Sequence, residues 1–106
     1  MQQVSDAITT EVTIQNAKGL HARAAAKFVN VVNSFDAKVK VTRAHHTQPL
    51  FEGDEELWIA SGSSVLGILT LGVEKGATVH LEATVKDAEK VLEALTALID
   101  RKFDEE

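Results

Sequence analysis

The segment ATVHLEATVKDAEKVLEALTALIDRKF, residues 77–103, contains the two most regular hydrophobic patterns of the chain. Its first part, ATVHLEA, alternates apolar and polar residues, which predicts a half-buried strand over 77–83. The side chains predicted to face inward are Val79, Leu81 and Ala83. The intervening His80 and Glu82 are expected to face solvent.

The second part of the segment has the three- and four-residue spacing of an amphipathic helix, predicted over 86–103. Its apolar stripe consists of Ala88, Val91, Leu92, Leu95, Leu98 and Ile99. Thr84 is followed three residues later by Asp87, a pattern similar to a capping box, which predicts how this helix begins.

The same two patterns, alternation and helical spacing, predict three further strands and two further helices earlier in the chain. Alternation predicts strands over 10–15, 37–43 and 55–60. Their inward residues are predicted to be Val12, Ile14, Ala37, Val39, Val41, Leu57 and Ile59. Helical spacing predicts a helix over 22–33. Its buried stripe is predicted to be Ala25, Phe28, Val29 and Val32.

A short helix is predicted within SGSSVLGILTLG, residues 61–72, between the third strand and the fourth. Ser63 or Ser64 would begin it and Gly72 would end it, because hydroxyl residues cap helix starts and glycine follows helix ends. The residues predicted to face the core are Leu66, Leu69, Val65 and Val73.

The resulting order, β-α-β-β-α-β-α, predicts the α+β class. Strands with one polar face each favour a four-stranded antiparallel sheet that carries three helices on one face and water on the other, an open-faced β-sandwich. We expect one domain over 9–103, a flexible N-terminal extension over 1–8 and a solvated acidic tail over 104–106. Residues 44–56 are interpreted as a loop insertion.

Composition excludes several functional classes. A net charge of −5 with scattered basic residues argues against binding the phosphate backbone of nucleic acids. The absence of cysteine excludes disulfides, thiol nucleophiles and thiolate metal sites. The apolar runs are too short for a membrane span, and residues 1–10 lack the features of a signal peptide, so we expect no membrane insertion and a cytoplasmic location.

The segment AKGLHARAAAKFV, residues 17–29, holds the candidate reactive group, His21, at the point where a glycine turn leads into a helix. Backbone N–H groups at a helix start lack helical partners, and the helix dipole favours negative charge there. Arg23 adds a charged donor. The positive helix end favours the neutral, nucleophilic imidazole. From spacing alone, a histidine that only caps the helix remains the alternative.

GLHARAAAKFV resembles the active-site segment of the HPr family, the histidine-containing phosphocarriers of the phosphoenolpyruvate-dependent phosphotransferase system. The positions that match the family pattern one by one are Gly19, Leu20, His21, Ala22, Arg23 and Ala25. SSVLGILTLGVEKGATVHLEA, residues 63–83, resembles the second conserved region of the family. The resemblance extends over residues 9–101 and implies the HPr-like fold.

The resemblance implies a phosphocarrier that is a substrate of phosphotransferase-system enzymes and not itself an enzyme. It would accept a phosphoryl group from enzyme I on Nδ1 of His21 and donate it to an enzyme IIA component, in sugar uptake or in a nitrogen-related regulatory branch. Arg23 and the backbone N–H groups of Ala22, Arg23 and Ala24 would stabilise the phosphoryl group. No metal or organic cofactor is implied, and a monomer is expected.

Ser64 stands where regulated members of the family carry a serine phosphorylated by an HPr serine kinase/phosphorylase, and it is also the expected cap of the second helix. The residues implied to dock partner proteins are Leu20, Ala24, Gly67, Leu66 and Thr70.

Three features depart from the family pattern. Ala24 replaces the usual proline, a change that the first turn of a helix tolerates. Ser63 replaces the lysine or asparagine that often precedes the regulatory serine, which weakens the case for recognition of Ser64 by a kinase. The insertion over 44–56 exceeds the tight hairpin usual between the second and third strands.

Two other functions remain open from the sequence. A regulatory docking module would act through Ser64 and the second helix without using His21, and a small-molecule-binding α+β domain is a further alternative.

Two features of the insertion and its flank have alternative interpretations. His45 and His46, near Glu52 and Asp54, are interpreted as part of a solvated loop and not as a metal site. Trp58 is predicted to point to the polar side of its strand, where packing under the insertion is the favoured interpretation; covering the sheet and contacting a partner are the alternatives.

Overall fold

The computed structural model describes residues 7–43 and 59–105. The elements are β1 (Ile8–Thr13), α1 (Ala22–Asn33), β2 (Lys38–Arg43), β3 (Ile59–Ser61), α2 (Val65–Thr70), β4 (Thr78–Thr84) and α3 (Ala88–Asp100), followed by a turn at Lys102–Asp104. The insertion over 44–56, Leu57 and Trp58 lie outside the described residues. None of the described helices has the length and apolar character needed to cross a membrane.

The four strands form one sheet in the order β1-β4-β2-β3, and each neighbouring pair is antiparallel. The buried side chains of its two central strands are Val39, Val41, Val79, Leu81 and Ala83. The opposite face is polar. There Lys40 lies across from Glu82, with 3.2 Å between Nζ and Oε1, and His80 lies across from Glu11, with 3.1 Å between Nε2 and Oε2. The structure confirms the α+β open-faced sandwich.

The two long helices cover the apolar face and match their predicted stripes. α1 buries Ala24 as well as the four predicted residues, and α3 buries all six predicted residues. α1 contacts both α2 and α3, and α3 contacts β1 and β4. The bounds of α1 are those predicted, whereas β1 begins two residues earlier and ends two residues earlier than predicted.

The predicted face of β3 is wrong. Ile59 is 44% exposed, whereas Ala60 is buried. Ala60 lies directly opposite Val41 of β2, and directly opposite residues of an antiparallel pair point to the same face. Because Val41 is in the core, Ala60 must be there too. β3 has only three residues, so its alternation is too short to predict which side chains face the core. The pairing with β2 determines this.

The predicted face of α2 is also partly wrong. Leu66 is 76% exposed, whereas Ile68 and Leu71 are buried. Val65 and Leu69 are partly buried against the core, and Val73 is buried as predicted. A helix of six residues makes fewer than two turns, so several apolar residues fit either face until the sheet and α1 select one.

The capping box predicted for α3 is not present. Asp87 is the N-cap residue, but its side chain makes no cap hydrogen bond. Its Oδ2 instead accepts a hydrogen bond from the backbone N–H of Asp36, at 2.9 Å. Asp87 therefore ties the start of α3 to the loop that follows α1, an arrangement that local spacing does not indicate.

The helix predicted to continue to Phe103 ends at Asp100. Lys102, Phe103 and Asp104 follow with φ angles of 57°, 56° and 61°, in the left-handed region. We call Lys102–Asp104 the left-handed turn. Phe103 is fully buried in the core, so the turn packs against the domain. The predicted solvated tail is wrong for Glu105, which is only partly exposed, whereas Asp104 is exposed as predicted.

The observed face of α2 can be tested by stability. Ile68→Ala should lower the free energy of unfolding by about 2–5 kcal/mol, because it leaves a cavity in the core. Leu66→Ala should change that free energy by no more than about 0.5 kcal/mol, because the side chain is in water. Urea denaturation of both variants measures the difference. A larger loss for Leu66→Ala than for Ile68→Ala would contradict this packing.

Candidate functional site

A tight loop between β1 and α1 positions the candidate residue, His21. Gly19 has a φ of +67°, and its N–H donates to the carbonyl of Asn16 at 3.1 Å. The N–H of Leu20 donates to the carbonyl of Val73 at 3.0 Å, which ties the loop to the segment before β4. A Cβ on residue 19 would lie 2.5 Å from that same carbonyl oxygen. Glycine is therefore required both for the backbone conformation and for the close approach.

The loop is held from inside by a buried amide. Asn16 is fully buried, and its Nδ2 donates to the carbonyl of Gly19 at 2.7 Å and to Oε1 of Glu105 at 3.0 Å. Its Oδ1 has no hydrogen-bond partner within 7–43 and 59–105. A buried amide with two directed donors fixes the relative position of the loop and of Glu105.

His21 is the N-cap residue of α1. Its backbone is extended, its N–H donates to the carbonyl of Gly19 at 2.9 Å, and its carbonyl accepts from the N–H of Ala25 at 2.8 Å. Its Nδ1 accepts a hydrogen bond from the backbone N–H of Arg23 at 3.3 Å. The side chain is 22% exposed. The capping alternative thus describes the geometry correctly, and capping is compatible with chemistry because it points Nδ1 at the positive end of the helix.

The other imidazole nitrogen faces a carboxylate. Nε2 of His21 contacts Oε2 of Glu105, whose side chain is 13% exposed. An Nδ1 that accepts a hydrogen bond carries a lone pair, so in the neutral ring the proton is on Nε2 and is donated to Glu105. Partial burial raises the pKa of Glu105, but the hydrogen bonds from His21 and Asn16 and the electrostatic interactions with His21 and Arg23 outweigh it. The pKa of this carboxyl therefore lies below its usual value.

Sequence reasoning missed Glu105. The residue is separated from His21 by 84 positions, and it stands in a short acidic run of the kind that is usually solvated. The one available signal is the apolar Phe103 inside that polar run, which indicates that the chain returns to the core.

Beside His21 is an open cleft of about 450 Å³. It is lined by Ala17, Lys18, Arg23, Lys27, Asp104 and Glu105. Three cations and two carboxylates therefore meet at the start of α1. The first-turn N–H groups of Ala22, Arg23 and Ala24 precede the first helical hydrogen bond, which the N–H of Ala25 makes. The arrangement suits a dianionic group attached at Nδ1.

The residues predicted to dock partners divide into two groups. Leu20 and Ala24 are buried in the core, so their side chains are not available to a partner in this structure. Leu66 and Thr70 are exposed, and Gly67 is partly exposed. Of the residues predicted to dock partners, those on α2 are therefore the ones with accessible side chains or backbone.

Ser64 is the N-cap residue of α2, as predicted. Its Oγ accepts a hydrogen bond from the backbone N–H of Gly67 at 2.9 Å, and the residue is partly exposed.

The other titratable side chains singled out from the sequence form no further site in the part of the chain described. Within that part, no group of three histidine, aspartate or glutamate side chains is placed to hold a metal ion. His45, His46, Glu52 and Asp54 lie outside the described residues. His80 is exposed, as predicted, and pairs with Glu11.

The loop geometry predicts a specific cost for replacing Gly19. Gly19→Ala should lower the free energy of unfolding by more than about 2 kcal/mol, because the new Cβ adds a collision with backbone to the usual 1–2 kcal/mol cost of a left-handed alanine. The matched control is Gly72→Ala, since Gly72 has a φ of +63° and its nearest contact to an added Cβ would be 3.7 Å. Denaturant unfolding compares the two variants. Equal losses of unfolding free energy in the two variants would show that the close approach of residue 19 to the Val73 carbonyl does not constrain the loop.

Comparison with known proteins agrees with this geometry. Residues 8–101 match the family model described as the PTS HPr component phosphorylation site. The phosphocarrier protein NPr of Shewanella violacea is 40% identical over 95 residues, which are 90% of this chain and 91% of that protein. The phosphocarrier protein HPr of Pseudomonas aeruginosa is 36% identical over 95 residues, which are 90% of this chain and 93% of that protein.

A solved structure agrees as well. The crystal structure of HPr-C-His from Thermoanaerobacter tengcongensis has a TM-score of 0.77 and 33% identity, and the match covers 93% of this chain and 98% of that one. The resemblance seen in the sequence is confirmed. The chain therefore belongs to the HPr family, whose members are phosphocarrier proteins of the phosphotransferase system and not enzymes.

Proposed function

We propose that His21 accepts the phosphoryl group on Nδ1 from phosphorylated enzyme I and donates it to an enzyme IIA component. The observation that carries this proposal is the direction of Nδ1. This atom accepts a hydrogen bond from the N–H of Arg23, so its lone pair points toward the first turn of α1. A group that forms a bond to Nδ1 would lie where the helix favours negative charge.

The proposed transfer is an in-line displacement at phosphorus. The lone pair of Nδ1 forms the new P–N bond while the bond from phosphorus to the donor breaks, and its electron pair stays on the donor. Charge on the phosphoryl oxygens would be bound by the N–H groups of Ala22, Arg23 and Ala24 and by the Arg23 guanidinium. The backbone N–H of Arg23 donates to Nδ1 at 3.3 Å in the unphosphorylated protein. In this step it would donate to a phosphoryl oxygen instead.

An exposed site suits a carrier, because the group must be released again. Arg23 is exposed, and the cleft beside His21 is open to solvent. Partners would dock on the outer side of α2, where Leu66 presents an apolar side chain next to Gly67 and Thr70. We place this exchange in the cytoplasm and expect a monomeric carrier.

The branch in which the carrier works is part of the proposal and stays open between sugar uptake and nitrogen-related regulation. Relatives named NPr and HPr are 40% and 36% identical to this chain, so identity does not separate the two names. Transfer from the phosphorylated carrier to enzyme IIA components of each branch would identify the acceptor.

Phosphorylation of Ser64 by an HPr serine kinase/phosphorylase is a separate proposal, and the rival regulatory module depends on it. Ser64 is partly exposed at the start of α2, where a phosphate is electrostatically favourable. Its Oγ already accepts from Gly67, so the modification would alter the cap and the adjacent docking surface together.

Replacing His21 tests the proposed acceptor. Wild-type protein incubated with phosphoenolpyruvate and enzyme I should gain one acid-labile phosphate, and His21→Ala should gain none while remaining folded. Intact-protein mass spectrometry and circular dichroism measure both. Phosphorylation of His21→Ala at the wild-type rate would contradict the assignment. No phosphate on the wild type, with a proven active enzyme I, would favour the module centred on Ser64.

Replacing Arg23 tests the proposed charge stabilisation. Arg23→Ala should still accept the phosphoryl group but roughly 100–1,000-fold more slowly, because one charged donor to the transferring group is lost. Lys38→Ala is the matched control, since Lys38 is an exposed cation on β2 and lies outside the cleft. Initial rates of phosphoryl acceptance are the measurement. Equal slowing in both variants would mean that net charge, and not Arg23 itself, determines the rate.

A further inference from the structure

We propose that Glu105 is a positioning residue for phosphoryl transfer: its carboxylate holds the imidazole proton on Nε2 of His21 and so keeps Nδ1 unprotonated and directed at the start of α1. This inference rests on the proposed role of His21. It assigns to the segment after α3 a part in the chemistry that the family match, which ends at residue 101, does not cover.

The first support is that the two ring nitrogens have different partners of opposite type. Nδ1 faces a donor, the N–H of Arg23 at 3.3 Å, and Nε2 faces an acceptor, Oε2 of Glu105. Only the neutral ring with its proton on Nε2 satisfies both contacts. A carboxylate that orients a histidine in this way also fixes the rotation of the ring.

The second support is that Glu105 is itself held in place. Its Oε1 accepts a hydrogen bond from Nδ2 of the buried Asn16 at 3.0 Å, while Oε2 contacts His21. Asn16 also holds the Gly19 carbonyl at 2.7 Å. One rigid amide therefore connects the loop that delivers His21 to the carboxylate that orients it.

The third support is the unusual backbone that brings Glu105 to the site. Three consecutive non-glycine residues in the left-handed region cost about 1–2 kcal/mol each, so such a turn persists only where other contacts hold it. Here Phe103 is buried in the core, and Lys27 of α1 donates to the Phe103 carbonyl at 2.7 Å. The N–H of Glu105 donates to the Lys102 carbonyl at 3.1 Å. Strain held in this way beside a reactive group indicates a functional constraint.

The carboxylate also has a role in the charge balance of the transfer. When Nδ1 uses its lone pair to bond phosphorus and Nε2 keeps its proton, the ring becomes cationic. Glu105 lies against Nε2 and would offset this charge, and the positive ring would remain a good leaving group for the next transfer. The other charged groups around the cleft are Lys18, Arg23, Lys27 and Asp104. Of the two carboxylates at the cleft, Asp104 and Glu105, Glu105 is the one that contacts the imidazole ring of His21.

The spectroscopic test uses unphosphorylated protein with ¹⁵N-labelled histidine at pH 8. We expect the wild-type His21 signals, assigned by their loss in His21→Ala, to show a protonated Nε2 and an unprotonated Nδ1. In Glu105→Ala the two nitrogen shifts should move toward each other as the two neutral tautomers exchange. Unchanged shifts in Glu105→Ala would overturn the proposal.

The kinetic test compares Glu105→Gln, which keeps the shape of the side chain and removes its charge, with Glu93→Gln. Glu93 is an exposed carboxylate on α3 and gives the same change in net charge. We expect Glu105→Gln to accept the phosphoryl group from enzyme I about 10-fold more slowly, within the range found when a supporting hydrogen bond to a functional histidine is lost. Glu93→Gln should match the wild type.

An equal or faster rate in Glu105→Gln would overturn the proposal, since a faster rate would make the contact inhibitory. Thermal unfolding of both variants shows whether the fold is retained. The tautomer measurement needs no enzyme I, so a failure of the proposed function, seen as no phosphate on wild-type protein, is distinguishable from a failure of the inference about Glu105.

Discussion

Burial of one face of the sheet is the constraint on which the rest of this structure depends. The apolar side chains of β2 and β4 must be covered, and α1 and α3 are the elements long and amphipathic enough to cover them. Once both helices lie on that face, the start of α1 and the chain that leaves α3 come to the same side of the domain. The candidate site is at this junction, where Glu105 meets His21.

The candidate site combines the backbone N–H groups of a helix start with a set of nearly balanced charges. The first turn of α1 and three cations around the cleft favour a phosphoryl group, while Asp104 and Glu105 offset part of that positive charge. A carrier must accept a group and release it, so strong binding of the phosphoryl group would oppose its function. The partial compensation of charge and the openness of the cleft agree with a group that is held briefly.

Much of the fold follows from repeating patterns in the sequence. α1, α3 and β4 are each long enough for several repeats of their period, and their buried faces are those that the patterns predict. The shorter elements carry less information. Ile59 in β3 and Leu66 in α2 are exposed although their local pattern allowed burial, because the strand partner Val41 and the packing of Ile68 decided the phase.

The sequence by itself determined that a histidine with an arginine two residues later stands at a helix start after a glycine turn, because turn chemistry and helix period are local properties. Only the tertiary structure decided which proton-accepting group faces Nε2 of that histidine. Glu105 is 84 positions away and belongs to an acidic run, and it reaches the ring through the burial of Phe103 and a left-handed turn. The hydrophobic pattern of neighbouring residues cannot predict the contact between Glu105 and His21, because the contact depends on where α3 ends relative to the loop before α1.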